Sequence, residues 1–154
     1  MLKKVALTLT AILVVVVTGI AALYWRSNTI PGRPNNVSPS AVFLWAPYVG
    51  LPAARRGWWM ICEHQPPQPA RCALSDIDGT LKYEGEFLPY VAGVAVGKLD
   101  IDAEKTREDK IWVGDALVPI VYLKNGEILI PSSRYEEGKR ILDLKHKPDT
   151  PVAN

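Results

Sequence analysis

The chain is poor in the side chains that most often carry chemistry, with two histidines, two cysteines and two methionines among 154 residues. His64 and His146 are solitary, with no second histidine or glutamate at metal-ligand spacing. Cys62 and Cys72 supply only two thiols, and no neighbouring residues complete a zinc set. There is no Gly-x-Ser-x-Gly elbow, no P-loop and no Gly-x-Gly-x-x-Gly, so the usual serine-hydrolase, nucleotide-triphosphate and dinucleotide readings have no support. A charge excess is missing too: 18 Lys and Arg face 16 Asp and Glu, which excludes the basic field of a nucleic-acid binder. Internal repeats and heptads are absent, which excludes solenoids and coiled coils.

What the chain does have is one long apolar run. Val5 to Trp25 contains no charge, follows Lys3 and Lys4, and is closed by Arg26. At about 1.5 Å of rise per residue it is long enough to cross the hydrocarbon core of a bilayer. Two lysines before the run favour a cytoplasmic amino terminus and export of the rest. A secretory signal begins the same way, and Gly19 with Ala21 provides the small residues that cleavage requires. The run exceeds the usual signal core of about 7–15 residues, and Tyr24 with Trp25 closes it where aromatics settle at the lipid–water interface. We adopt the retained anchor, in the inner membrane with the carboxy-terminal part periplasmic, and keep the secreted form as the alternative. Ala6, Thr10, Val14, Thr18 and Ala22 recur every four residues, a mostly small face on which a partner helix could approach and threonines could bond across the contact.

The chain divides accordingly. Residues 1–4 are the cytoplasmic start and 5–26 the span. Residues 27–40 form a linker held extended by Pro31, Pro34 and Pro39, 41–147 a mainly β domain, and 148–154 a flexible tail. The linker contains a glycosylation sequon, Asn36-Val37-Ser38. Less the 26 membrane-proximal residues, 128 remain, enough for one modest core. With Lys3, Lys4 and Arg26 removed, that part holds 15 basic and 16 acidic residues and is nearly neutral.

Within the domain, Gly57–His64 and Ala70–Asp76 read as strands joined by Gln65-Pro66-Pro67-Gln68-Pro69. A hairpin centred on Pro67 sets Cys62 opposite Cys72, within disulfide reach in an oxidising compartment. Asp78-Gly79 marks a second turn pairing Leu81 with Asp76, Tyr83 with Leu74 and Gly85 with Cys72, with Leu81 on the same face as Cys72, Leu74 and Tyr83. Phe87–Gly97 reads as a bulged strand, Lys98–Glu104 as a strand with one wet face and Ala103–Lys110 as a charged loop. A third hairpin, Val118–Leu123 with Glu127–Ile130, turns at Lys124-Asn125-Gly126 and sets Lys124 opposite Glu127. Ser133 and Glu136 form a capping box opening one helix over about 133–145, with a Glu136–Arg140 pair, an apolar side of Tyr135, Ile141 and Leu142, and a weakening Gly138. The fold class is an amino-terminal membrane helix followed by a small antiparallel β domain with one carboxy-terminal helix.

Three chemical readings compete. Ser75-Asp76-Ile77-Asp78-Gly79-Thr80-Leu81 resembles the nucleophile motif of haloacid-dehalogenase-type phosphatases, which would make Asp76 the nucleophile and Asp78 the acid/base, with Mg²⁺ offsetting phosphate charge. The resemblance covers seven residues; it requires a buried parallel strand, and too few residues follow for the alternating strands and helices of that fold. Asp76, Asp78, Asp100, Asp102 and Glu104 together are a candidate Ca²⁺ set, but Leu81 stands where an EF-hand loop needs glycine. Arg55-Arg56-Gly57-Trp58-Trp59 is the third: adjacent tryptophans on a strand point to opposite faces, so one is free to meet a membrane or a partner. No residue is assigned to catalysis, a cofactor or a metal. The expected role is a non-catalytic accessory or interaction subunit, whose partners are the lipid bilayer and other membrane proteins and not nucleic acid.

Overall fold

The computed structural model describes residues 2–45 and 57–147, in two units. The first is helix α1, Leu2–Asn28, which contains the uninterrupted apolar span Val5–Trp25. None of that span is buried, so a continuous apolar surface is left without cover among the described residues. The Thr10 and Thr18 hydroxyls donate to the Ala6 and Val14 carbonyls at 2.9 and 2.6 Å. Both donors of the small-residue face are thus satisfied within the helix, as a polar group in lipid requires. The face offers a partner its shape, and the cross-helix donation expected of these threonines is already spent on the backbone.

The second unit is an antiparallel sheet. Strands β1 (Val42–Trp45), β2 (Gly57–His64), β3 (Ala70–Ser75), β4 (Leu81–Pro89), β9 (Ile128–Pro131) and β8 (Val121–Tyr122) lie side by side in that order, and β5 (Gly97–Lys98) pairs with the far end of β2. The two turn-centred registers are as the local chemistry demands: Cys62 faces Cys72, Leu74 faces Tyr83 and Gly85 faces Cys72. The Cys62–Cys72 disulfide is formed, with Cα atoms 4.1 Å apart and both residues buried.

Beside the Asp78-Gly79 turn the ladder slips by one. Ser75, and not Asp76, faces Leu81, and the slip leaves Leu81 exposed instead of on the core face. Asp76 causes it. Its Oδ1 accepts the backbone N–H groups of Asp78 and Thr80 at 3.1 and 2.9 Å, drawing the residue out of the ladder and into the turn. Burial raises the Asp76 pKa, but those N–H bonds together with Lys82 outweigh it and hold the carboxyl below its ordinary value.

Further along, the expected bulged strand at Phe87–Gly97 is not one element. Its first three residues extend β4 and pair with β9, and Tyr90 donates the last backbone bond, to Ile128. Gly93 then takes positive φ as the chain runs outside the sheet, and Gly97, also at positive φ, is where it rejoins the sheet at β5. The alternation at 98–104 does bury Leu99 and Ile101, but through single contacts, a bond from Leu99 to Cys62 and a bridge from Ile101 to Leu123. The charged loop contains a short helix, α2 (Ala103–Thr106), because the Asp102 side chain accepts the Lys105 N–H and caps it.

The third hairpin is also corrected. Leu123, not Lys124, faces Glu127, since Lys124-Asn125-Gly126 is a three-residue turn with Gly126 at φ 90°. Val118 belongs to a separate ribbon of β6 (Lys110–Val113) and β7 (Ala116–Pro119), turned at Gly114-Asp115. That ribbon was not foreseen.

A 3₁₀ turn, Ser132–Arg134, leads into helix α3, Tyr135–Lys145. Ser133 does not cap it. No side chain caps α3, and the Ser133 side chain instead meets the Tyr83 hydroxyl. Glu136–Arg140 is replaced by the pairs Arg134–Glu137 and Lys139–Asp143. Leu142 packs with Ile111, Ile120 and Ile130, flanked by Tyr135 and Ile141, as the apolar side predicts. The larger core, around Leu44, Met60, Leu74, Phe87 and Leu129, lies inside the curved sheet.

The proline-rich linker is only partly extended. Bonds from Val37 to Pro34 and from Ala41 to Ser38 fold it into two turns, and Val37 is buried with Phe43 and Trp59. Asn36 Nδ2 donates to the Gly79 carbonyl at 2.8 Å, so the sequon nitrogen is engaged in the folded domain.

A candidate aromatic cleft

Trp58 and Trp59 part company as strand geometry requires. Trp59 is buried against Phe43, with ring centroids 5.0 Å apart in an edge-to-face arrangement, and its indole N–H has no acceptor among the described residues. Trp58 shares the inner face of β2 with Met60 and Cys62 and stays half-buried against the larger core. Lys110 Nζ lies 4.8 Å from its ring centroid, a cation–π contact. Burial and the nearby Arg107 charge hold the Lys110 ammonium below its ordinary pKa.

Opposite Trp58 stands the β6–β7 ribbon. In its register Trp112 faces Leu117 on the side away from Ile111 and Val118, which are taken into the core. Trp112 is therefore 58% exposed. Between ribbon and sheet lies an open cleft of about 580 Å³, walled by Trp58 and Trp112, floored by Leu74 and Tyr83, and carrying Lys82 and Asp115 as its charged groups. Tyr83 reaches its place because Gly85, next on that face, has no side chain: a Cβ there would collide with the tyrosine ring. Burial lifts the Tyr83 pKa, with Ser133 partly opposing.

The cleft is an aromatic surface with one cation and one anion beside it. It contains no nucleophile–base pair, and Lys82 is already paired with Asp76 Oδ2 at 3.3 Å. Trp112 was missed by sequence reasoning. The signal was present: Gly114-Asp115 is a turn between apolar stretches, and pairing them puts Trp112 on the wet face.

The remaining candidate residues do not converge. Arg55 and Arg56 lie outside the described residues. The Asp76–Asp78 motif sits in an antiparallel hairpin turn, not at the end of a parallel strand, so the fold that the phosphatase resemblance implies is not this one. Asp100 pairs with Lys124, Asp102 caps α2 and Glu104 pairs with Arg107. Among the described residues no group of three possible metal ligands forms. His64 is committed to the Ala95 carbonyl, and His146 to the Leu142 carbonyl and the Tyr90 ring. On α1, Ala6, Val14 and Ala22 are exposed, as are Tyr24 and Trp25 at its far end. No protein-family model, curated protein or solved structure matches the chain.

Proposed function

We propose that this protein is a non-catalytic accessory subunit of a membrane assembly. Its helix is retained in the inner membrane, with Lys3 and Lys4 on the cytoplasmic side and the β domain periplasmic. In this reading the aromatic cleft holds an extended segment of a partner polypeptide. The observation that carries it is the cleft itself: Trp112 is held exposed on a paired ribbon across from Trp58, in a chain that brings its own membrane-length helix. Large, rigid aromatic side chains give contact area at small entropic cost, which is why they anchor protein interfaces. The disulfide fits an oxidising compartment. The small-residue face Ala6-Thr10-Val14-Thr18-Ala22 would seat a partner's transmembrane helix by close approach.

Native mass spectrometry of the protein extracted from its own membranes tests the proposal. An uncleaved chain in a stoichiometric complex is expected, and Trp112→Ala should reduce the complex without lowering the amount of folded chain. The second reading is a secreted ligand-binding module, which uses the same cleft after cleavage beyond Ala21. A free chain lacking its first twenty-odd residues would establish that reading instead. Replacing Thr18 and Ala22 by leucine separates the two, because only an anchored subunit would lose co-fractionation.

A further inference from the structure

Between Glu86 and Lys98 the sequence has no charged residue. The end of this stretch, residues 90–96, leaves the sheet as a loop that exposes Val91 (71%) and Val96 (72%), with Ala92, Gly93 and Ala95 also at the surface. The loop is held in place. Val94 turns inward onto the core, the Ala95 N–H donates to Glu127 Oε2 at 3.3 Å, and the Ala95 carbonyl meets His64 Nδ1 at 3.0 Å. Two valines are thus presented outward on a pinned backbone, where exposure has no folding benefit.

We infer that this loop rests on the lipid–water interface of the bilayer in which the protein is anchored. The inference depends on the anchored reading above. Three features favour lipid as the occupant. First, the covalent tether is short: eight residues separate Asn28, the last of the helix, from Val37, where the chain is already packed into the domain. The nine steps from Asn28 to Val37, at about 3.5 Å each, reach at most about 32 Å, so an anchored helix keeps the domain near the bilayer surface. Second, Lys98, two residues past Val96, and Arg33, which bonds the residue next to the Ser40 that Lys98 contacts, are not neutralised. Lys98 Nζ bonds only the Ser40 hydroxyl and Arg33 only the Pro39 carbonyl, and neither has an ion-pair partner among the described residues. Both are free to meet anionic headgroups. Glu63, opposite Lys98 in the ladder, and Glu127, bonded to Ala95, are the acids that oppose them.

Third, two valines are too little apolar surface to bring an untethered domain to a bilayer, but the tether raises the local concentration enough for a weak contact to persist. The loop's remaining amides need hydrogen-bond partners, which keeps it at headgroup depth and out of the hydrocarbon.

The test uses the full chain with its disulfide intact, reconstituted in vesicles of phosphatidylcholine and phosphatidylglycerol. Val96→Cys carries an environment-sensitive fluorophore, and Leu144→Cys on α3 carries it as the reference. Resistance of the chain to an alkaline wash reports the anchor independently of the probe. A blue-shifted probe at 96, quenched by shallow spin-labelled lipid and several-fold less accessible to iodide than at 144, is the expected result. Equal iodide access at 96 and 144 in a wash-resistant chain overturns the loop contact and leaves the anchor standing. Shielding from iodide without lipid quenching means that protein covers the loop, and it also overturns the inference. Release by the wash removes the anchor and the inference together.

Discussion

Replacing Gly138 by alanine is expected to destabilise the β domain although it improves the helix. Gly138 is buried where α3 crosses β9, and a Cβ built there collides with Ile130 Cγ2 and lies 3.1 Å from Ile111 Cδ1. Two effects oppose. Alanine is favoured over glycine in a helix interior by about 1 kcal/mol. Overpacking a filled core costs about 1–3 kcal/mol. The second should win, because Ile130 and Ile111 are 0% and 2% exposed and branching at Cβ restricts how far their side chains can turn aside. A net loss of up to about 2 kcal/mol follows, and each kcal/mol should lower Tm by about 4–8 °C in a domain of this size. Ile130→Ala removes the colliding methyl and alone costs about 2–5 kcal/mol. In that background Gly138→Ala should turn neutral or stabilising, giving a coupling of about 1–3 kcal/mol in the double-mutant cycle. The assay is thermal and urea unfolding of the full chain in detergent, followed by near-UV circular dichroism, whose change on unfolding is dominated by the packed aromatics of the β domain, since Tyr24 and Trp25 of α1 are exposed. A higher Tm for Gly138→Ala in the native background would refute the argument. It would mean that α3 can ride outward without loss of packing.

The other expectations are simpler. Cys62→Ala with Cys72→Ala opens a loop of sequence separation 10, so the chain-entropy model gives a loss of about 2.7 kcal/mol, read from the urea midpoint. Trp59→Ala should cost about 3–5 kcal/mol because it empties a buried site, whereas Trp112→Ala should change stability by less than about 0.5 kcal/mol. Equal losses at the two tryptophans would contradict the exposed cleft wall. The Asp76 carboxyl has a folded pKa below its unfolded value, so its contribution is present above the unfolded pKa of 3.8 and lost as pH falls through the lowered folded value. Asp76→Asn should flatten the acid limb of Tm against pH, and an unchanged limb would assign the acid sensitivity elsewhere. Asn36→Ala removes the bond to the Gly79 carbonyl and should cost about 0.5–1.5 kcal/mol, measured as a shift in urea midpoint at constant m.

Much of the β domain was legible because its turns are local. The prolines around Pro67 and the Asp78-Gly79 pair fix which residues face each other, and Cys62–Cys72 and Leu74–Tyr83 follow from counting outward. The same counting failed by one residue where a side chain entered the turn. Asp76 displaced Leu81, and Gly126 lengthened the last hairpin by taking a positive φ. The candidate site was half legible. That one of Trp58 and Trp59 must differ from the other follows from strand alternation. Which of them stays accessible depends on the linker and β1, because Val37 and Phe43 cover the outer face and take Trp59.

By itself the sequence determined the membrane-length helix, the mainly antiparallel class, the disulfide and the late helix. Each is set by interactions between residues close along the chain: uninterrupted apolarity, alternation, turn chemistry and a two-cysteine register. Only the tertiary structure decided that β4 pairs with β9, that the β6–β7 ribbon stands across from Trp58, and that Gly138 is where α3 meets the sheet. The first two join segments tens of residues apart, and the third depends also on Ile111, 27 residues before Gly138. Many strand edges offer the same hydrogen bonds, so the choice among them is made by the fit of whole apolar faces, and no short stretch of sequence contains it.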